Sequence, residues 1–257
     1  MSGRDTVRVE TLDGGEIWRV WLATPKANIL DMDKVERLDA IFTRAAEERD
    51  LKAIVIEGEG PHFSFGASVE EHLPGKFESM IPAFHRFIER LFDTEVATLA
   101  AVRGQCLGGG LELVSLCNRV FAAPEATLGQ PEIVLGVFAP VASVALAGRI
   151  GRSRAEDLCL SGRSIGADEA LRIGLVDVVT GDPGAAALAY AREHLAPHSA
   201  SSLRLAQRAL RGASRKRFRR ELKNVERLYI ETLMTTADAK EGLRAFMEKR
   251  DPGWTNS

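Results

Sequence analysis

Apolar and polar positions alternate with a period of two over residues 6–12 and 16–23, the rhythm of half-buried strands. Asp13-Gly14-Gly15 between them is hairpin-turn material. Pro25-Lys26-Ala27-Asn28 breaks the alternation as a loop. Over 31–48 the period lengthens to that of a helix, with Met32, Val35, Leu38, Ile41, Phe42 and Ala45 on one side and Asp31 placed to cap the start. Ala53-Ile54-Val55-Ile56, bounded by Gly58 and Gly60, is the unbroken apolar run of a buried strand. A tight small-residue turn, Phe63-Ser64-Phe65-Gly66-Ala67-Ser68, follows, then an amphipathic helix over 77–92 and a strand over 97–102 that runs into a glycine loop.

After that loop the pattern predicts a short helix around Glu112, a strand at 119–123, a turn at 127–131, helices at 140–150, 154–160 and 167–173, and a last strand at 175–179. Strands alternating with helices imply an α/β core with mostly sequential pairing. Beyond Gly181-Asp182-Pro183 only helical spacing remains, at about 184–195, 199–210, 216–234 and 238–249, with Pro197 and Gly212 as punctuation. The expected organisation is an α/β body over 1–194 and a helical region over 195–257 that packs on the body or on a neighbouring subunit.

Composition narrows the function classes. The chain of 257 residues fits one sizeable domain with an appendage, or two domains; 45% apolar and 27% charged residues are ordinary for a soluble globular protein. A net charge of −2 argues against a nucleic-acid binder, which needs a basic surface. The one basic run, Arg215-Lys216-Arg217-Phe218-Arg219-Arg220, is read as a solvated or subunit-contact face. Cys106, Cys117 and Cys159 lack metal or redox spacing and fit small buried reduced thiols. The start MSGRDTVRVE has no apolar export core, and no stretch approaches the roughly 18 apolar residues of a membrane span. The cytoplasm is the expected compartment.

The stretch from Val102 to Val137 holds the candidate chemistry. Gly108-Gly109-Gly110 sits where a strand turns into a helix, so bare backbone N–H groups can face a ligand. Glu112 lies among Leu111, Leu113, Val114 and Leu116, in a segment buried nearly all round, where a carboxylate needs a partner or a task. Glu132 follows Gly129-Gln130-Pro131; alone it is an ordinary helix-start acid, and with Glu112 it makes an acid/base pair. No cluster with ligand spacing accompanies them, so no metal is expected. The glycine loop is neither GxGxxG nor GxxxxGK[ST], and no GxSxG occurs. His62, His72, His85, His194 and His198 are scattered and are set aside as surface or loop residues.

Three blocks of this sequence resemble the crotonase (enoyl-CoA hydratase/isomerase) superfamily, in order and over nearly the whole chain. Residues 63–68 are similar to its FxxGAD block, Gly104 to Cys117 to its GxxxGGGxELAxxCD block, and Gly129-Gln130-Pro131-Glu132 to its GxPE block. The resemblance implies a crotonase-like ββα spiral core, a helical C-terminal trimerisation region, and a trimer or dimer of trimers. It also implies an oxyanion hole from the backbone N–H groups of Ala67 and Gly109. Glu112 and Glu132 fall on the two catalytic glutamates of the hydratases. Glu112 would activate water for attack on the β-carbon and Glu132 would deliver the proton. Base and acid can still exchange places, because coupled groups share macroscopic pKa values. No cofactor is expected; coenzyme A, which is part of the substrate, would lie along Lys26, Ala27, Ala67 and Val69. Phe246 and Lys249 would meet its nucleotide end, in relatives often across a subunit boundary; the alternative is an ordinary amphipathic helix.

Departures from the common hydratase pattern fall beside the acyl pocket. The acid of the first block is Ser68, Phe65 is bulkier than usual, and Val137-Phe138-Ala139-Pro140 replaces a GAGG-containing loop. Phe65, Phe138 and Pro140 are therefore the expected pocket lining. FSFGASVEEHLP with GQPEIVLGVFAP is similar to cyclohexa-1,5-diene-1-carbonyl-CoA hydratases of anaerobic aromatic degradation. That implies a 1,4-addition of water giving 6-hydroxycyclohex-1-ene-1-carbonyl-CoA. The alternatives are a short-chain enoyl-CoA hydratase of β-oxidation, an isomerase or hydrolase on the same scaffold, or a non-enzymatic CoA-ester or RNA-binding scaffold.

Overall fold

A computed structural model describes residues 5–257. The first four residues of the segment read as lacking an export core lie outside the described residues. The backbone climbs as a spiral whose successive turns each contain a strand of a large sheet, a short stretch in a second sheet, and a helix. The first turn is β2 (Ile17–Leu22), a bridge at Leu30, and α1 (Met32–Glu47). The second is β3 (Ala53–Gly58), bridging residues Ser64 and Ala67, and α2 (Phe77–Asp93). The third is β4 (Ala97–Val102), β5 (Gln105–Leu107) and α3 (Gly109–Ser115). The fourth is β6 (Arg119–Ala122), β7 (Thr127–Gly129), a 3-10 turn (Pro131–Leu135) and α4 (Pro140–Ile150).

The large sheet has the order β1-β2-β3-β4-β6-β9, where β1 (Val7–Leu12) is an antiparallel edge on β2 and β9 is Val178–Val179. The other pairings are parallel, with Ile54 opposite Thr98 and Ala101 opposite Phe121. The second sheet is β5-β7-β8, with β8 at Ser164–Gly166. Leu30 bridges Ala67 and Ser64 bridges Cys106, which extends the second sheet into the earlier turns.

Parallel strands buried on both faces explain the unbroken apolar runs. Ile54, Ile56, Ala100 and Val102 face a core shared with Val35, Leu38 and Phe42 of α1 and Phe84 and Phe87 of α2. Ala53, Val55, Leu99 and Ala101 face the opposite way, onto Ala187, Leu188 and Ala191 of α7 (Pro183–His194). Asp31 caps α1 by accepting from the Lys34 N–H at 3.0 Å.

Three expectations need correction. The helices read separately at 199–210 and 216–234 are one, α8 (Ala200–Glu231), which passes through Gly212 unbroken. A helical glycine costs only about 1 kcal/mol against alanine, and α8 recovers this by packing on α2 and α4. The turn predicted at 127–131 contains β7, and β5 and β8 were not anticipated; three residues are too few to show a period of two. The last strand is shorter than 175–179. α5 (Arg152–Ser161) and α6 (Ala167–Arg172) complete the body. The tail folds back on its own body: α9 (Ala237–Glu248) packs against the 3-10 turn at 131–135 and the turn Val69–His72.

Candidate active site

Neighbouring turns of the spiral meet at a cleft. Its floor is made by two backbone turns. Ser64 N–H donates to Gln105 O at 3.0 Å, Leu107 N–H to Ser64 O at 2.9 Å, and Gly108 N–H to Gly129 O at 3.0 Å, so three turns are stitched side by side. Ser64 Oγ accepts from Gly66 N–H at 3.0 Å and donates to Asn28 O at 2.8 Å. Gly66 has φ +97°, and a Cβ there would come within 2.9 Å of Leu107 O and 3.2 Å of Gly109 N. Only glycine lets the turns approach this closely.

The N–H groups of Ala67 and Gly109 donate to no acceptor among the described residues, and both residues line the cleft. They are close neighbours: a Cβ on Gly109 would lie 3.3 Å from Ala67 N. α3 has only seven residues, so these two N–H groups, rather than the field of a long helix, are what the floor offers a ligand. Two convergent amides of this kind suit a carbonyl oxygen that gathers negative charge.

Glu112 and Glu132 both line this cleft. Every residue of α3 is buried, and Glu112 is 3% exposed, with Oε1 accepting from Ala142 N–H at 2.9 Å. Burial raises its carboxyl above the ordinary 4.5, and the N–H groups of Ala142 and Val141 pull it back. Glu132 stands just after Pro131 in the 3-10 turn, directly over Gly108. Gly108 has φ +51°, and a Cβ there would be 2.8 Å from Glu132 Oε1, so its missing side chain makes room for the carboxylate. Burial first, and then the negative charge of Glu112, push the Glu132 carboxyl up to about 8. Buried Gln130 donates to both Glu132 oxygens at 3.1 Å when its amide nitrogen is turned toward them. One carboxyl inclined to stay protonated beside one held by N–H donors can work as acid and base.

The wall is mostly apolar. Phe65, Val69, Phe138 and Pro140 line it, together with Met80, Ile81 and Phe84 of α2 and Leu243 of α9. Ala27 receives the Phe65 N–H on its carbonyl, which places Lys26 and Ala27 at the outer edge of the Phe65 turn. The structure does not bring Phe246 and Lys249 into the cleft: they lie at the exposed end of α9, Phe246 being 52% exposed. Sequence reasoning missed three polar groups here. His85, set aside as a surface or loop residue, is buried in α2 and lines the cleft, and His72 lines it too. Tyr229 of α8 is buried with its hydroxyl unpartnered among the described residues; burial and the nearby Glu132 and Glu112 raise its phenol. The only sequence signal was polar residues on otherwise apolar helix faces. Among the described residues no group of three or more His, Cys, Asp or Glu side chains could hold a metal. No helix among them is long and apolar enough to cross a membrane.

Comparison with known proteins places the chain in a family. The enoyl-CoA hydratase/isomerase family profile matches residues 14–257. The chain is 50% identical over 242 residues to the cyclohexa-1,5-dienecarbonyl-CoA hydratase of Thauera aromatica, covering 94% of each chain. It is 34% identical over 241 residues to a probable enoyl-CoA hydratase of Mycobacterium tuberculosis, covering 92% of this chain and 93% of the relative. The crystal structure of an enoyl-CoA hydratase/isomerase from Pseudoalteromonas atlantica superposes with a TM-score of 0.88 at 26% identity, over 97% of this chain and all of the other.

Proposed function

Because the chain belongs to the enoyl-CoA hydratase/isomerase family, we propose that its substrate is cyclohexa-1,5-diene-1-carbonyl-CoA, hydrated to 6-hydroxycyclohex-1-ene-1-carbonyl-CoA in anaerobic breakdown of aromatic acids. The spiral is the crotonase fold, and the enzyme is a hydro-lyase of the enoyl-CoA hydratase type. One observation carries the mechanism: Glu112 and Glu132 share a cleft with the unengaged N–H groups of Ala67 and Gly109.

The thioester oxygen accepts from Ala67 and Gly109, donors of a kind worth about 2.7–4 kcal/mol each where one has been removed. Glu112, kept usable as a base by the Ala142 N–H, takes a proton from water as its oxygen bonds to the β-carbon. Glu132, inclined to stay protonated, holds that water and is the acid at the thioester end of the cleft. Phe65, Phe138 and Pro140 give the ring an apolar seat. The adenine and pantetheine of CoA run past Lys26, Ala27, Ala67 and Val69, and Phe246 and Lys249 meet the nucleotide end; their exposure leaves them free to do so. No cofactor beyond the substrate's own CoA takes part. The enzyme acts in the cytoplasm, which suits three free thiols, and assembles as a trimer or dimer of trimers through the helical region 195–257.

A panel of cyclic and linear CoA thioesters, incubated with water and read by product mass, tests this. Gain of one water by the cyclic dienoyl thioester at a rate above crotonyl-CoA is expected. Efficient hydration of crotonyl-CoA with the cyclic compound untouched would return the chain to the linear enoyl-CoA hydratases, which the Mycobacterium tuberculosis relative represents by name.

A further inference from the structure

Beside the two glutamates the cleft has an imidazole that the hydration scheme above leaves unused. His85, on α2, is 3% exposed and lines the cleft among Met80, Ile81 and Phe84. Its Nδ1 is 2.7 Å from a carboxylate oxygen of Glu226 on α8, while its Nε2 is buried without a partner among the described residues. A carboxylate at one ring nitrogen holds a proton there and leaves the opposite nitrogen as the working end. An unpaired polar atom in an apolar wall is unfavourable unless something bound completes it.

A 1,4-addition to a ring supplies that need. As hydroxide bonds to C2, the C1=C2 electrons move onto the thioester oxygen and leave a dienolate conjugated with C5=C6. Protonation at C5 forms the C5–H bond, the new double bond is C1=C6, and the thioester carbonyl is restored. C2 and C5 face each other across the ring, so the proton must arrive on the edge opposite the attacked carbon. Glu132 sits against Gly108 of the oxyanion turn, at the thioester end.

We propose, resting on the cyclic-substrate reading, that His85, held by Glu226, is a third catalytic residue whose Nε2 delivers the proton to the far carbon of the ring. In this step the Nε2–H bond of His85 breaks as the C5–H bond forms. Glu112 holds the proton taken from water and passes it back to His85, so one water is consumed and both side chains are reset. On the ring substrate Glu132 gives up the acid's role to His85, and its protonated carboxyl keeps only its hold on the water.

The test compares wild type, His85→Gln, Glu226→Gln and His85→Ala on the cyclic dienoyl-CoA, with binding of cyclohexanecarbonyl-CoA as the check on folding. His85→Gln is expected to lower kcat about 100-fold with KM within about threefold, and Glu226→Gln about tenfold. Added imidazoles should restore turnover to His85→Ala in order of their acidity, which a packing role would not produce. A His85→Gln enzyme within about threefold of wild-type kcat overturns the proposal, as does a loss that no imidazole restores. Wild type that leaves the cyclic thioester untouched but hydrates crotonyl-CoA removes the substrate reading and this inference together. That outcome is distinct from an active wild type whose His85 variants match it.

Discussion

Burial raises both cleft carboxyls, and this sets how the enzyme should respond to pH. With Glu132 pushed up to about 8, its protonated form is available at neutral pH and disappears above that value. The kcat profile should therefore fall on its alkaline side near pH 8, and Glu132→Gln, which cannot ionise, should lose that limb. Stability moves in the same sense. A carboxyl whose folded value is raised above the ordinary 4.5 adds stability in full below 4.5 and loses it as pH rises through about 8. The thermal midpoint of wild type should drop across that window, and Glu132→Gln should flatten the drop. Glu112→Gln and Glu132→Gln should each lower kcat by about 10²–10⁴-fold while isothermal titration still detects CoA-ester binding. At this scale the sequence singles out a residue through its immediate neighbours. Glu112 stood out because leucines surround it within one helical turn. His85 did not, because its partner Glu226 lies 141 positions further along the chain.

Helices and parallel strands of six residues or more were legible because their periodicity had room to repeat. α4 at Pro140–Ile150 and β4 at Ala97–Val102 fall on the expected positions. β5, β7 and β8, of three residues each, were not legible, although β5 and β7 border the floor of the cleft. Gly212 misled in the opposite direction, since a glycine in a sequence reads as a stop while a packed helix tolerates it. A Cβ at Gly212 meets nothing within 4 Å. Gly212→Ala should therefore stabilise the protein by about 0.5–1 kcal/mol, seen as a higher urea midpoint with an unchanged slope.

Across the whole molecule, α8 presents Leu205, Leu210 and Leu228 to solvent, with Leu210 78% exposed. Side chains of this kind on a long helix fit the proposed assembly of several copies. Sedimentation should give a trimer or hexamer, and Leu210→Asp should shift it toward smaller species; a wild-type monomer at micromolar concentration would contradict the assembly. The sequence by itself determined the α/β alternation, the glycine loop with its pair of glutamates, and the helical C-terminal region, because each is written in neighbouring residues. Only the tertiary structure decided that Ala67, Gly109 and Glu132 border one cleft, and that Glu226 reaches His85. Those contacts come from stacking one turn of the spiral on the next and folding α8 back over α2. The spacing between turns is irregular, so no repeat in the chain announces which distant residues will meet.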